Sequence, residues 1–329
     1  VLRVGVDQPE GIMSSRGTPD RRRTSSSRSG GKPSGKRSGP PRGRSGAPPS
    51  GRSSGRPSGS TAGGSSGKGA GSKGAGGAKG LGGRQVEGRQ AVRELLIADR
   101  RKVHEIWISA ELEGDAGVAD IVEIAGAKRV PVLHVAKAKL EREARSEAPQ
   151  GVLAHAAEIP EAELGQLIRG TGKTPPFLVA VDGVTDPGNL GAVIRSCDGA
   201  GVSGLLLPRH RAVHITPTTA KASAGAVEYV PMTLVPGLPN ALEQLRQHGI
   251  WIVGLDDGAD RELFDLGDLA VEPICVVLGA EGAGLSRLVR QRCDATLSIP
   301  MAGGVSSLNV SAAAAISLYE VSRSRRRLP

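Results

Sequence analysis

The chain has 329 residues and a net charge of +10, and that charge is unevenly placed. Residues 13–84 carry 16 Lys and Arg against a single acid, Asp20, so the rest of the chain is close to neutral. No apolar run reaches the roughly 18 residues of a membrane-spanning helix. The three cysteines, Cys197, Cys275 and Cys293, lack the paired or Cys/His spacing of a disulfide framework or a structural zinc, so no metal is expected.

Residues 1–83 are built from Gly, Ser, Arg, Lys and Pro with scattered apolar residues. Such a stretch cannot bury enough apolar surface to offset the entropy of ordering, and a disordered basic arm is expected. A flexible cationic arm suits phosphate backbones and would add salt-sensitive affinity; a solubilising tail fits the charge equally well. The chain opens on Val1, and Met13 precedes the arm, so a start at either residue stays open. The first residues lack the charged region followed by an apolar one that marks a secretory signal; a cytoplasmic protein with reduced thiols is expected.

After the arm, apolar residues at helical spacing (Val86, Ala91, Val92, Leu95, Leu96) predict a helix over 85–98. Residues 103–108 read as a short strand, 118–128 as a helix, 130–135 as a strand, 136–144 as a helix and 151–157 as a strand. This makes residues 84–160 a small α/β domain. A linker over 161–175 follows, where Gly170, Gly172 and Pro175 break regular structure. A second domain, 176–329, restarts the alternation. Its strands are expected at 177–181, 205–207, 230–235, 251–255, 274–278 and 295–299. Helices are expected through 195–200 and at 218–227, 285–292 and about 307–323. Apolar strands without alternation, interleaved with helices, imply a parallel sheet covered on both faces, and the chain is long enough for two domains with separate cores.

Three segments stand out, each at the C-terminal end of a predicted strand, where open parallel sheets bind ligands. The first runs from Asp182 to Arg195. Asp186-Pro187-Gly188 makes a turn and Asn189 is placed to cap the following helix, with Arg195 inside it. Alone, Arg195 reads as a surface arginine on an ordinary helix. The second, Leu278 to Ser286, is a glycine-rich turn around Glu281. A dinucleotide-binding loop is disfavoured, because the turn comes late in the domain and Glu281 would repel a pyrophosphate. The third runs from Ile299 through Gly303, Gly304, Ser306, Ser307, Leu308 and Asn309 into an alanine-rich helix. Ser306 or Ser307 is a candidate cap, and Ser306 lacks the elbow of a serine hydrolase.

Together and in this order, the three segments resemble the SpoU family of RNA ribose 2′-O-methyltransferases, within the SPOUT superfamily. The resemblance covers residues 176–323. The upstream unit, with Val86-Glu87-Gly88-Arg89 and Pro149-Gln150-Gly151-Val152, is similar to the small ribosomal-protein-like substrate-binding domain of such enzymes. The resemblance implies a trefoil-knotted α/β methyltransferase domain, a homodimer formed through it, and S-adenosylmethionine as cofactor. It implies donor contacts at Leu278, Gly279, Ile299, Met301 and Leu308, and catalytic positions at Asn189, Arg195, Glu281, Ser307 and Asn309. In that reading Arg195 holds a phosphate and stabilises the alkoxide, Asn309 and Ser307 orient hydroxyl and donor, and Glu281 positions Arg195 or a ribose. The nearest subgroup methylates a guanosine of 23S rRNA. A tRNA substrate, an antibiotic-target adenosine in rRNA, and a non-catalytic ribosome-assembly role remain as alternatives. With only six aromatic residues, base stacking should not dominate RNA recognition.

Overall fold

The computed structural model describes residues 80–172, 174–210 and 214–326. Residues 1–79 of the expected basic arm lie outside the described residues. Its last residues belong to the fold: Leu81 is buried, Gly82 bridges to Ile215, and Gly83 N donates to Ile215 O at 2.8 Å.

The first sheet has four strands. In chain order the elements are β1 (Gln85–Glu87), α1 (Arg89–Ala98), β2 (Val103–Ser109), α2 (Ala116–Ala127), β3 (Val132–Val135), α3 (Lys137–Glu143) and β4 (Val152–Ala156). The strand order is β1-β4-β2-β3, with only β2 and β3 parallel. The helix expected over 85–98 therefore loses its first turn to a strand. Gln85–Glu87 pair with β4, and Gly88, at φ +96°, breaks the chain before α1 begins.

α4 (Leu164–Arg169) interrupts the expected linker. Then come β5 (Phe177–Val181), α5 (Pro187–Ala200), β6 (Gly204–Pro208), α6 (Pro217–Ala222), β7 (Met232–Val235), α7 (Leu238–Gln247) and β8 (Trp251–Leu255). The chain ends with β9 (Arg261–Glu262), β10 (Ile274–Leu278), α8 (Arg287–Arg290), β11 (Ala295–Ser298) and α9 (Val310–Arg326). The sheet runs β7-β6-β5-β10-β8-β11-β9, with every strand pair parallel. α7 went unmarked in the sequence, although Leu238, Ala241, Leu242 and Leu245 sit at helical spacing and are all buried. The helix expected over 218–227 stops at Ala222, because Ala224 (φ +51°) and Gly225 (φ +89°) turn the chain.

The expectation of a sheet covered on both faces holds. Phe177, Val179 and Val181 of β5 face a core with α5 and α9; Leu178 and Ala180 face another with α4, α7 and α8. The first core also takes in Ala91, Val92 and Leu95 of α1, so the small sheet and the parallel sheet share a core rather than having two separate ones. Arg101 pins the joint. Its guanidinium meets the Glu228 carboxylate twice, at 2.8 and 2.6 Å, with both side chains 2% exposed, and its Nη1 donates to Gly83 O and Ala157 O.

From β11 at one side of the sheet the chain returns to lay α9 along α5. The end of α9 is fastened by Arg325, which donates to the carbonyls of Pro175, Ala270 and Glu272 at 2.6–2.8 Å, around the entry to β5. No helix among the described residues is long and apolar enough to cross a membrane.

Candidate active site

The C-terminal ends of β5, β10 and β11 converge, and their loops are tied before any ligand arrives. Asp182, just past β5, donates its backbone N–H to Leu278 O at 2.7 Å and accepts Ser286 N on Oδ2 at 2.7 Å. Asp186, not Asn189, caps α5: its Oδ1 accepts Asn189 N at 2.7 Å, and Pro187 fills the first helical position, where no N–H is needed. Asn189 is thereby freed to use its side chain elsewhere.

It uses it across the site. Asn189 Nδ2 donates to Glu281 Oε1 at 2.8 Å, and Asn309 Nδ2 donates to the same oxygen at 2.7 Å and to Asn189 Oδ1 at 3.1 Å. One residue from each of the three segments thus meets in a single cluster at the solvent boundary. Glu281 Oε2 keeps no hydrogen-bond partner among the described residues, so one carboxylate oxygen is fixed and the other is open to a ligand. Asn309 has a second task. Its Oδ1 accepts Ser311 N (2.8 Å) and Ser311 Oγ (2.5 Å), so Asn309, rather than Ser306 or Ser307, caps α9.

Beside the cluster lies a cleft of about 420 Å³, within the range of roughly 300–1,000 Å³ typical of small-molecule sites. It is lined by all five residues expected to hold the donor: Leu278, Gly279, Ile299, Met301 and Leu308. Glu281 and Ser307 also line it. Gly279 is required by packing: a Cβ there would stand 2.4 Å from Gly284 C, inside a turn closed by two Ala280–Gly284 backbone hydrogen bonds. Gly303 and Gly304 differ, since a Cβ on either would meet nothing within 4 Å. Among the described residues, no backbone hydrogen bond joins residues 300–308 to another segment, which leaves peptide groups free at the cleft wall. An apolar slot with free peptide edges and a carboxylate at its mouth fits S-adenosylmethionine, whose adenine needs the first two and whose sulfonium is favoured by the third.

Arg195 stands apart. It lies six residues beyond Asn189, about 240° around and about 9 Å along α5. Its side chain is exposed and makes no hydrogen bond or ion pair among the described residues, so the expected contact with Glu281 is not made within this chain. Sequence reasoning also missed one wall of the cleft, formed past β8 by Asp256 and Asp257. Asp256 is paired with Arg290 at 2.8 Å and its side chain is 9% exposed. The same strand-end rule applied to 251–255 would have found it. Burial pushes the thiols of Cys197 and Cys275 far up and that of Cys293 to about 12, which disfavours thiolate chemistry at all three. No group of His, Cys, Asp and Glu among the described residues could hold a metal ion.

The model of the SpoU rRNA Methylase family matches residues 176–319, and that of the RNA 2′-O ribose methyltransferase substrate-binding domain matches residues 85–162. The 23S rRNA (guanosine-2′-O-)-methyltransferase RlmB of Ralstonia nicotianae is 40% identical over 243 residues, covering 74% of this chain and 96% of the relative. The RlmB of Pseudomonas aeruginosa is 39% identical over 247 residues, covering 74% and 98%. The crystal structure of the SpoU methyltransferase AviRb from Streptomyces viridochromogenes, in complex with its cofactor AdoMet, superposes with a TM-score of 0.62 at 31% identity, over 74% of this chain and 90% of that one. The chain belongs to the SpoU family and is an S-adenosylmethionine-dependent RNA 2′-O-methyltransferase.

Proposed function

We propose that the chain methylates the ribose 2′-hydroxyl of a guanosine in 23S rRNA. The names of its relatives support that substrate, and the Asn189–Glu281–Asn309 cluster at the mouth of the donor cleft is the observation that carries the chemistry. S-adenosylmethionine supplies an electrophilic methyl group: the S–CH₃ bond breaks as the O–CH₃ bond forms, and the hydroxyl proton leaves to solvent. The protein's task is then alignment and charge stabilisation. Glu281, held at Oε1 by two carboxamides, presents Oε2 to a hydroxyl or to the sulfonium. Asn309 and Asn189 fix that carboxylate, and Ser307 adds a hydroxyl at the same mouth. Arg195, exposed and without a partner among the described residues, meets the RNA phosphate and the developing alkoxide.

The chain acts as a homodimer through its knotted domain, a reading supported by exposed apolar side chains near the site: Val305 (71%), Tyr319 (50%) and Ile316 (36%). Sedimentation should give the mass of two chains, and a one-chain mass at working concentration would overturn it. The basic arm adds grip on RNA. Removing residues 1–79 should weaken binding and flatten its salt dependence by about 0.7–0.9 per lost phosphate contact. Unchanged affinity and slope would return the arm to a solubilising tail. The decisive experiment incubates the protein with labelled donor and undermethylated ribosomal RNA or tRNA, then maps the modified ribose. Label on a 23S guanosine is expected, and label on tRNA alone or on an adenosine would overturn the reading.

A further inference from the structure

The small sheet carries a second concave site, of about 650 Å³, that shares no lining residue with the donor cleft. Its floor is apolar. Leu140 is buried and Leu112 half-buried, and a Cβ on Gly151 would stand 2.6 Å from Leu112 Cδ1, so glycine lets the turn close over that side chain. Ser109 also lines the site at 3% exposure, and its hydroxyl has no hydrogen-bond partner.

The rim is held in place by the fold beneath it. Glu87, fully buried, accepts Arg145 N at 2.7 Å, Ser146 N at 3.0 Å and the Ser146 hydroxyl, which fixes the chain leading to Glu147. Gln150 sits in the left-handed region at φ +57°, strain that persists because its Oε1 is tied to Arg89 N at 3.1 Å. Its amide N–H groups remain available. Glu141 and Glu147 line the site with no partner among the described residues, while a third carboxylate, Glu111, is paired with Lys137 at 3.2 Å.

Charge decides the occupant. Three glutamates against Arg89 and Lys137 make the lining net negative, which disfavours a phosphate. An apolar floor edged by free carboxylates suits a flat heterocycle that donates hydrogen bonds. Guanine presents N1–H and N2–H side by side, a match for one carboxylate; adenine and cytosine would each turn a ring-nitrogen acceptor toward it. We propose that this cleft binds an unpaired guanine base of the RNA substrate, distinct from the nucleoside whose ribose reacts. A free carboxylate of Glu141 or Glu147 reads its Watson–Crick edge, and Gln150 completes its contacts. The inference rests on RNA being the substrate.

The test uses the full chain saturated with S-adenosylhomocysteine, so that no titrated nucleoside enters the donor cleft, and titrates it with guanosine, inosine and adenosine by ligand-observed NMR. Guanosine should bind about tenfold more tightly than adenosine, with inosine, which lacks the N2 amine, weaker than guanosine. The surface double variant Glu141→Gln/Glu147→Gln should lose the guanosine preference and keep its affinity for S-adenosylhomocysteine. With RNA it should raise KM about tenfold at unchanged kcat. Equal binding of guanosine and adenosine, no guanosine binding, or an unchanged double variant overturns the proposal. Absence of methyl transfer by the unaltered protein would strike the proposed function instead, and the nucleoside titration is read independently of it.

Discussion

Asn309 holds two positions at once, and a single substitution separates them. Its Nδ2 donates to Glu281 Oε1 at 2.7 Å while its Oδ1 caps α9 at Ser311 N. Asn309→Asp keeps the cap, since aspartate is among the best N-cap residues and sits at the favourable end of the helix dipole. It removes the donor and sets a carboxylate against Glu281. A hydrogen bond to a charged group contributes about 1.5–3 kcal/mol, so kcat/KM should fall about 10- to 150-fold. Tm should move by no more than a few degrees. As pH falls from 8 towards 5, the two carboxylates can share a proton, which restores a donor, and the deficit should narrow. Asn309→Ala is the control. It loses the cap as well, about 1 kcal/mol or roughly 2–4 °C in Tm, and its deficit should not depend on pH. The assay is transfer of labelled methyl to undermethylated RNA across pH, beside thermal unfolding. A folded Asn309→Asp protein within twofold of the parent, or identical pH profiles for the two variants, would refute the donor role.

Arg195→Ala should lower turnover by about 10²–10³ and leave the donor Kd unchanged, because Arg195 does not line the donor cleft; near-normal turnover on RNA removes it from the chemistry. Gly279→Ala places a methyl 2.4 Å from Gly284 C and should open the 279–284 turn, weakening donor binding by calorimetry about tenfold or more. An unchanged Kd would show that the turn is not a donor contact. The buried thiols of Cys197 and Cys275 should react with a thiol reagent at pH 8 no faster than the protein unfolds, and rapid modification of either would contradict their burial. Tyr229 is pushed up to about 12, first by desolvation and then by its hydrogen bond to Glu94. The folded state prefers the neutral phenol, so this contribution is intact below about pH 10 and is lost as pH rises to about 12. Tyr229→Phe should flatten alkaline unfolding over that window; an unaltered profile would count against the linkage.

Much of the site was legible because its signals are local. Asn189 and Glu281 each follow a strand whose unbroken apolar run marks it as buried, Asn309 follows the alternating strand β11, and glycines beside them mark tight turns. Which residue caps which helix was not legible, because Asp186 and Asn189 are both good caps three residues apart and only the folded turn selects one. β1 was read as helix because three residues ahead of a real helix continue its apolar spacing, while their partner, β4, lies more than 60 residues away. The shared core was hidden for a like reason. α1 shows one apolar face, and nothing local says whether that face meets its own sheet or the loops after α6 in the other domain.

That joint bears on how the two sheets serve one reaction. A buried ion pair adds little net stability over apolar residues of equal size, so Arg101–Glu228 is poorly explained as a source of folding energy. Its leverage lies in the alternatives. If the small sheet docked elsewhere, Arg101 would be torn from Glu228 and from the carbonyls of Gly83 and Ala157, leaving desolvated charges that each cost several kcal/mol. Arg100 adds to the same seam, donating to the Glu228 and Tyr229 carbonyls at 2.9 and 3.0 Å. The effect is to penalise every arrangement but one, so the span between the small-domain cleft and the methyl donor is set by the fold. If RNA engages both clefts at once, as proposed, that fixed span admits only RNA that already has the right shape.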